Sequence, residues 1–219
     1  MRARFSTDEI GRCALEIVER DGLSGLSMRS VASRLGTGPM TLYNYVEGRE
    51  GLEELVVEAI IAGVVLPAQV PDWCTDFTAV CTALWEGLRA HPNVIPLILT
   101  HRSVSASSFA PAERMIGALS RSRLNQDQIL AAFRAALALV TGSVQAEFAG
   151  IFAGTAFHDE ANVRGAARVG EMAGTAYPFI SALAEVSQKS NAADDFERGL
   201  GMLLAGLVAT ESAQEGRND

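Results

Sequence analysis

Apolar positions along this chain recur at spacings of three and four, and strand-like alternation bounded by turns is hard to find, so the fold class expected is all-α. Ser6 and Glu9 have capping-box spacing. Ile10, Ala14, Ile17 and Val18 then share one face until Asp21-Gly22, which predicts a first helix over 7–20. Ser27 is the candidate N-cap of a two-turn second helix that buries Met28, Val31, Ala32 and Leu35, with Gly36 just past its end. Pro39 suits the first position of a third short helix whose Leu42 and Val46 turn inward before Glu47-Gly48. A longer helix from Arg49 buries Leu52, Leu55, Val56, Ala59 and Ile60, and Pro67 and Pro71 close it. The expected organisation is a three-helix unit over 1–48, a connecting helix over 49–66 and a larger helical body over 67–219.

Within the body, helices are predicted near 73–90, 94–101, 109–121, 125–149, 175–189 and 192–212. Ile129, Phe133, Leu137, Val140, Val144 and Phe148 form one apolar stripe; Phe196, Leu200, Leu203, Leu204, Leu207 and Val208 form another. Each stripe has two readings, intramolecular core or a face for a second copy. Gly199 and Gly206 on the last helix permit close helix approach, which favours association. Residues 150–174, rich in Gly and Ala with mixed charge, are expected to be a mobile connection.

Composition narrows the class. The chain has 219 residues, 48% hydrophobic and 20% charged, enough for one or two folded domains and too apolar for disorder. Its uncharged runs reach only about a dozen residues against the roughly 20 of a membrane span, and its start lacks the apolar core of a secretory signal, so a cytoplasmic location without membrane partners is expected. Three cysteines, Cys13, Cys74 and Cys81, form no CxxC pair and are expected to be free thiols. The net charge of −8 argues against nucleic acid only on average, because seven arginines and seven acids cancel within 1–50 and the remaining residues carry the whole excess.

The second and third helices with the Gly36-Thr37-Gly38 turn have the length and turn composition of a helix-turn-helix. With Leu42 and Val46 inward, Pro39, Met40, Thr41, Tyr43, Asn44 and Tyr45 crowd one short exposed helix. Such side chains can touch thymine methyls, bond base edges and hold phosphates. Arg29 and Arg49 bracket that surface, each suited to guanine or phosphate. The alternative for the two tyrosines is packing between the third and first helices; for the arginines it is a solvated charge.

The stretches Leu26-Ser27-Met28-Arg29-Ser30-Val31-Ala32-Ser33-Arg34-Leu35-Gly36, Met40-Thr41-Leu42-Tyr43-Asn44-Tyr45-Val46 and Arg49-Glu50-Gly51-Leu52 resemble the DNA-binding signature of the tetracycline-repressor (TetR) family. His91-Pro92, Phe196-Glu197-Arg198-Gly199-Leu200 and Gly206-Leu207 are similar to its C-terminal domain. The resemblance implies an all-α homodimer in which the first three helices bind double-stranded operator DNA, the fourth transmits, and the larger domain dimerises and binds a small-molecule effector. It implies base or phosphate contacts for Arg29, Pro39, Met40, Thr41, Asn44 and Tyr45, a phosphate contact for Tyr43, and a backbone contact for Arg49 where the family commonly has lysine. Thr37, which with Gly38 replaces a more common Val-Ser pair, joins the DNA-binding candidates. Val46 stands where the family usually has an aromatic. Dimer-interface candidates are Phe133, Leu137, Val140, Phe196, Leu200, Leu203, Leu204 and Leu207.

The candidate effector residues are Trp85, His101, Arg102, Gln145, Phe148 and Phe152, with Trp73, His91 and Glu147 as further polar or aromatic groups that could face a cavity. The family's tetracycline branch uses a magnesium chelate, but His101 with Thr100 and Arg102 has no metal-binding spacing, and no cofactor or metal is expected. Enzymatic function finds little support: there is no GxSxG, Gly-rich phosphate loop or HExxH. A helical carrier or adaptor that does not read DNA is the other alternative; Arg29, Tyr43 and Arg49 would be dispensable to it.

Overall fold

A computed structural model describes residues 5–100, 106–149 and 159–218, and among them every regular element is helical. The helices are α1 (Thr7–Asp21), α2 (Met28–Arg34), α3 (Pro39–Leu42), α4 (Gly48–Gly63), α5 (Trp73–Arg89), α6 (Ile95–Thr100), α7 (Ala106–Leu119), α8 (Gln126–Ala149), α9 (Asp159–Ala173), α10 (Pro178–Ser187) and α11 (Ala192–Asn218). Single 3-10 turns at Leu23–Gly25 and Pro92–Val94 precede α2 and α6. The chain forms two compact units, one of residues 1–67 and 86–114, the other of 68–85 and 115–219.

In the first unit, local chemistry sets the starts of α1, α2 and α3 and the end of α2. The Ser6 hydroxyl accepts from the Glu9 N–H at 3.1 Å while the Glu9 carboxylate accepts from the Ser6 N–H at 3.0 Å, the reciprocal box expected from their spacing. Ser27 and Ser30 do the same for α2. That helix ends on Gly36 at φ +65°, where the Thr37 N–H reaches the Ala32 carbonyl at 2.9 Å and the Gly36 N–H reaches that of Ser33 at 3.2 Å. This pair of bonds closes the helix and needs a left-handed residue at 36, which glycine adopts without a Cβ clash. Pro39 occupies the first turn of α3, a position whose N–H has no helical partner. α3 is shorter than expected: after Leu42 the chain tightens into turns, with the Tyr45 and Val46 N–H groups both on the Leu42 carbonyl.

Ile10, Ala14, Ile17 and Val18 of α1, Val31 and Ala32 of α2, Leu42 of α3 and Leu52, Val56 and Ile60 of α4 make the core of this unit. α1 crosses α4 at Gly11, where an added Cβ would lie 2.8 Å from the Leu55 carbonyl oxygen. Gly11→Ala is therefore expected to push the two helices apart and lower stability by about 1–3 kcal/mol, read as a lower denaturant midpoint. An unchanged midpoint would show that α1 and α4 separate without cost.

In the second unit, Phe77, Val80, Cys81 and Leu84 of α5 and Met115, Ala118 and Leu119 of α7 are buried. Trp85 stacks on Phe196 with ring centroids 4.9 Å apart and planes at 6°. On α8 the buried stripe is Ala132, Ala136, Val140 and Val144, four residues apart. Residues 159–173 of the supposed mobile connection form α9 instead. Its small residues allow this: Ala166 and Ala173 are buried, and an added Cβ on Gly170 would sit 3.3 Å from the Cβ of Ala184 on α10. Glycine and alanine there mark close helix packing rather than an irregular linker. α8 also has the length and mean hydropathy of a membrane span, 1.6 over Gln126–Phe148; Arg134 interrupts the uncharged run and hid this from a count of charge-free stretches.

Candidate nucleic-acid interface

The helix-turn-helix is built from α2 and α3, which pack on each other with Leu42 fully buried and Val46 only 8% exposed. Burial of Met28, Val31 and Ala32 turns Arg29 outward, where it makes no hydrogen bond or ion pair with any described residue. Burial of Leu42 does the same for Met40, 77% exposed, and Tyr43, 54% exposed. Pro39 and Asn44 are exposed as well; Thr37 and Thr41 are half-buried. An uncovered methionine beside an uncovered tyrosine is apolar surface that water does not favour, and a thymine methyl with a neighbouring phosphate would cover it.

Two expected DNA contacts have internal partners. Tyr45 is half-buried, its hydroxyl accepts from the Phe5 N–H at 3.2 Å, and its ring meets Phe5 edge-on at 6.5 Å and 69°. It ties the α3 turn to the residues ahead of α1, the packing role left open for it. Arg49 donates from Nη2 to the Leu23 carbonyl at 2.9 Å, from Nη1 to that of Leu26 at 3.2 Å, and from Nε to Glu53 at 2.7 Å. Its fork thus staples α4 to the turn before α2, a bridge that lysine could not make at all three points. Arg34 pairs with Glu16 of α1, its Nε 3.0 Å from the carboxylate.

Trp85 is 4% exposed and stacked on Phe196; Gln145 is exposed, and Phe148, Glu147 and Trp73 are half-buried. His101, Arg102 and Phe152 lie outside the described residues. His91, a possible cavity residue by sequence, pairs instead with Glu19 at the end of α1 in the first unit, Nδ1 to Oε1 2.5 Å. A groove of about 300 Å³ lies between α1 and α4, lined by Gly11, Arg12, Leu55 and Glu58 among others, none of them an effector candidate. Among the interface candidates, Val140, Phe196 and Leu200 are 1–3% exposed, so they belong to the internal core. Phe133, Leu137, Leu203, Leu204 and Leu207 keep partial exposure.

The cysteines are free. Burial pushes the Cys81 thiol up to about 12 and raises Cys13 and Cys74 as well, so all three remain protonated thiols near neutral pH and none is an activated nucleophile. Among the described residues no three His, Cys, Asp or Glu side chains gather into a metal-binding group.

Residues 66–210 match the family model of the tetracyclin repressor-like C-terminal domain. Over 208 residues, 94% of this chain and 86% of the relative, the sequence is 31% identical to an HTH-type transcriptional regulator of Saccharopolyspora erythraea. It is 26% identical over 145 residues to the HTH-type transcriptional repressor DrrR1 of Streptomyces coeruleorubidus, spanning 65% of this chain and about half, 54%, of that one. The fold is similar to that of the TetR family protein ActR of Streptomyces coelicolor in complex with actinorhodin, with a TM-score of 0.79, 24% identity, and 95% and 98% of the two chains covered. A described helix-turn-helix with an uncovered outer face, the matching C-terminal domain and a relative aligned over nearly the whole chain converge: this chain belongs to the TetR family of DNA-binding transcriptional regulators.

Proposed function

We propose that the protein is a cytoplasmic homodimeric repressor that binds a palindromic operator and is released by a small-molecule inducer. The observation that carries the DNA side is the exposed set Arg29, Met40, Tyr43 and Asn44 on α2 and the α3 turn, chemically suited to base edges and phosphates and not engaged by the protein's own core. Pro39, Thr37 and Thr41 flank it. Tyr45 and Arg49 act mainly by holding α3 and α4 in place. Along the chain, 1–48 reads DNA, 49–66 connects, and 67–219 dimerises and binds the effector, with 86–114 lodged in the DNA-binding unit.

The dimer is supported by α8, an apolar helix of which only 22% is buried inside the chain. Leu130 on α8 and Met202 and Val208 on α11 are exposed in the same unit, and a second copy would cover such surface. The DrrR1 relative is named a repressor and the ActR structure holds actinorhodin, which supports repression and a small organic effector for this chain. An inducer must then bind the DNA-incompetent state better, and DNA must weaken inducer binding by the same factor.

Selection of duplexes from a random pool at two salt concentrations tests the reading. The expected product is a palindrome with half-site centres one helical turn or a multiple of it apart, about 10–10.5 base pairs per turn, lost with Tyr43→Ala. No enrichment at low salt would remove the DNA-binding role.

A further inference from the structure

The end of α1 is gripped by the turn that leads into α6. His91 pairs with the Glu19 carboxylate at 2.5 Å, the two side chains 25% and 44% exposed. Asn93 Nδ2 donates to the Glu19 carbonyl at 3.2 Å and reaches that of Val18 at 3.5 Å. The Val18 carbonyl also accepts from the Gly22 N–H at 2.9 Å, whereas that of Glu19 belongs to the last turn of α1, where helix carbonyls lack internal partners and carry partial negative charge, so an amide donor and a histidine suit this helix end. Arg20, the adjacent cation, is taken by Asp21 at 2.6 Å, which leaves Glu19 to His91.

The grip is rigid on both sides. Pro92 fixes its own backbone and restricts that of His91, and Asn93 lies within the Pro92–Val94 turn. Val94 and Ile95 next to it are buried, and α6 packs on α4. On the other side, Val18 is fully buried in the α1 core that also carries α2 and α3. The residues concerned are thus two stretches of one compact unit, 1–67 and 86–114, and the chain passes into the other unit at 67–68, within α5 and within α7.

We propose that His91 and Asn93 are positioning residues, a latch that fixes the angle of the DNA-binding helices and thereby sets the half-site spacing the dimer accepts. This rests on the palindromic-operator reading above. A dimer engages its second half-site at an effective concentration set by how narrowly the recognition helices are held. Loosening α1 from residues 91–93 spreads that distribution without touching any DNA-facing side chain.

The test uses the selected palindrome, the same duplex with one half-site scrambled, and one with a base pair inserted at its centre. Asn93→Ala and Glu19→Gln are expected to lose about tenfold in affinity for the palindrome, to match wild type on the half-site duplex, and to discriminate less against the inserted base pair. His91→Lys, still able to pair with Glu19, should keep wild-type discrimination. Equal loss on palindrome and half-site would mean a merely structural role and overturn the latch, as would unchanged spacing discrimination in both variants. A wild-type protein that shows no preference for the palindrome brings down the operator reading itself, and the latch with it, a result distinct from either.

Discussion

Arg121→Ala is expected to destabilise the second unit by about 3–5 kcal/mol. Asp76 on α5 is fully buried, and Arg121 Nη2 lies 2.5 Å from its carboxylate. The same guanidinium donates to the Val70 and Gly117 carbonyls at 3.2 and 3.3 Å, and the Val70 N–H leans on Asp76 at 3.4 Å. Truncating the arginine leaves a carboxylate in the interior without its cation, and the cost of that desolvated charge exceeds the modest net worth of the intact pair. At about 2–4 °C per kcal/mol for a chain of this size, the melting temperature should fall by on the order of 10 °C. Arg121→Lys should fall between, because a single ammonium cannot serve carboxylate and carbonyls together. A loss under about 1 kcal/mol would show that Asp76 is held by its other neighbours and that the pair is incidental.

The second large effect is expected at the DNA surface. Arg29→Ala and Tyr43→Ala should each weaken operator binding at least tenfold, since a dimer loses two contacts, while the melting temperature stays put because both side chains are exposed. Salt separates the modes of contact. If Arg29 neutralises a phosphate, Arg29→Ala lowers affinity for every sequence alike and reduces the slope of log affinity against log salt by about 0.9 per contact, near two for the dimer. If it reads guanine, the loss is about 1–3 kcal/mol per site and concentrates at one operator position, whose preference relaxes. Affinity unchanged in both variants across salt would refute the interface. Arg49→Ala is a poorer probe, because removing its bonds to the Leu23 and Leu26 carbonyls frees α4 from the turn before α2.

What could be read from sequence was what is local in it. Ser6 with Glu9, Ser27, Gly36 and Pro39 define helix ends through bonds that span a few residues, so spacing alone reveals them. Leu42 and Val46 were legible as inward-facing for the same reason. Tyr43 and Tyr45, by contrast, are equivalent to any periodicity argument, and only Phe5, forty residues away, separates an exposed tyrosine from one fixed internally. Arg49 likewise has the charge of a phosphate ligand, and its carbonyl partners lie more than twenty residues back. Asp76 with Arg121 and Glu19 with His91 are long-range pairs with no sequence mark. α9 has no distinct mark in the sequence, because alanine and glycine serve both loose connections and tight helix crossings.

The division of the DNA-binding unit between two stretches of chain also determines where the protein can be recombined. Exchanging recognition modules between relatives by cutting at residue 67 follows the linear order of the helices, yet it parts Glu19 and the end of α1 from the residues at 91 and 93 that cap them. Such a hybrid carries one parent's helix end against the other's turn, with donors and acceptors matched only by chance. Grafts that move positions 91–94 together with 1–67 preserve that match, so the transferable cassette in this chain is discontinuous, and its second piece lies inside what linear order assigns to the effector domain.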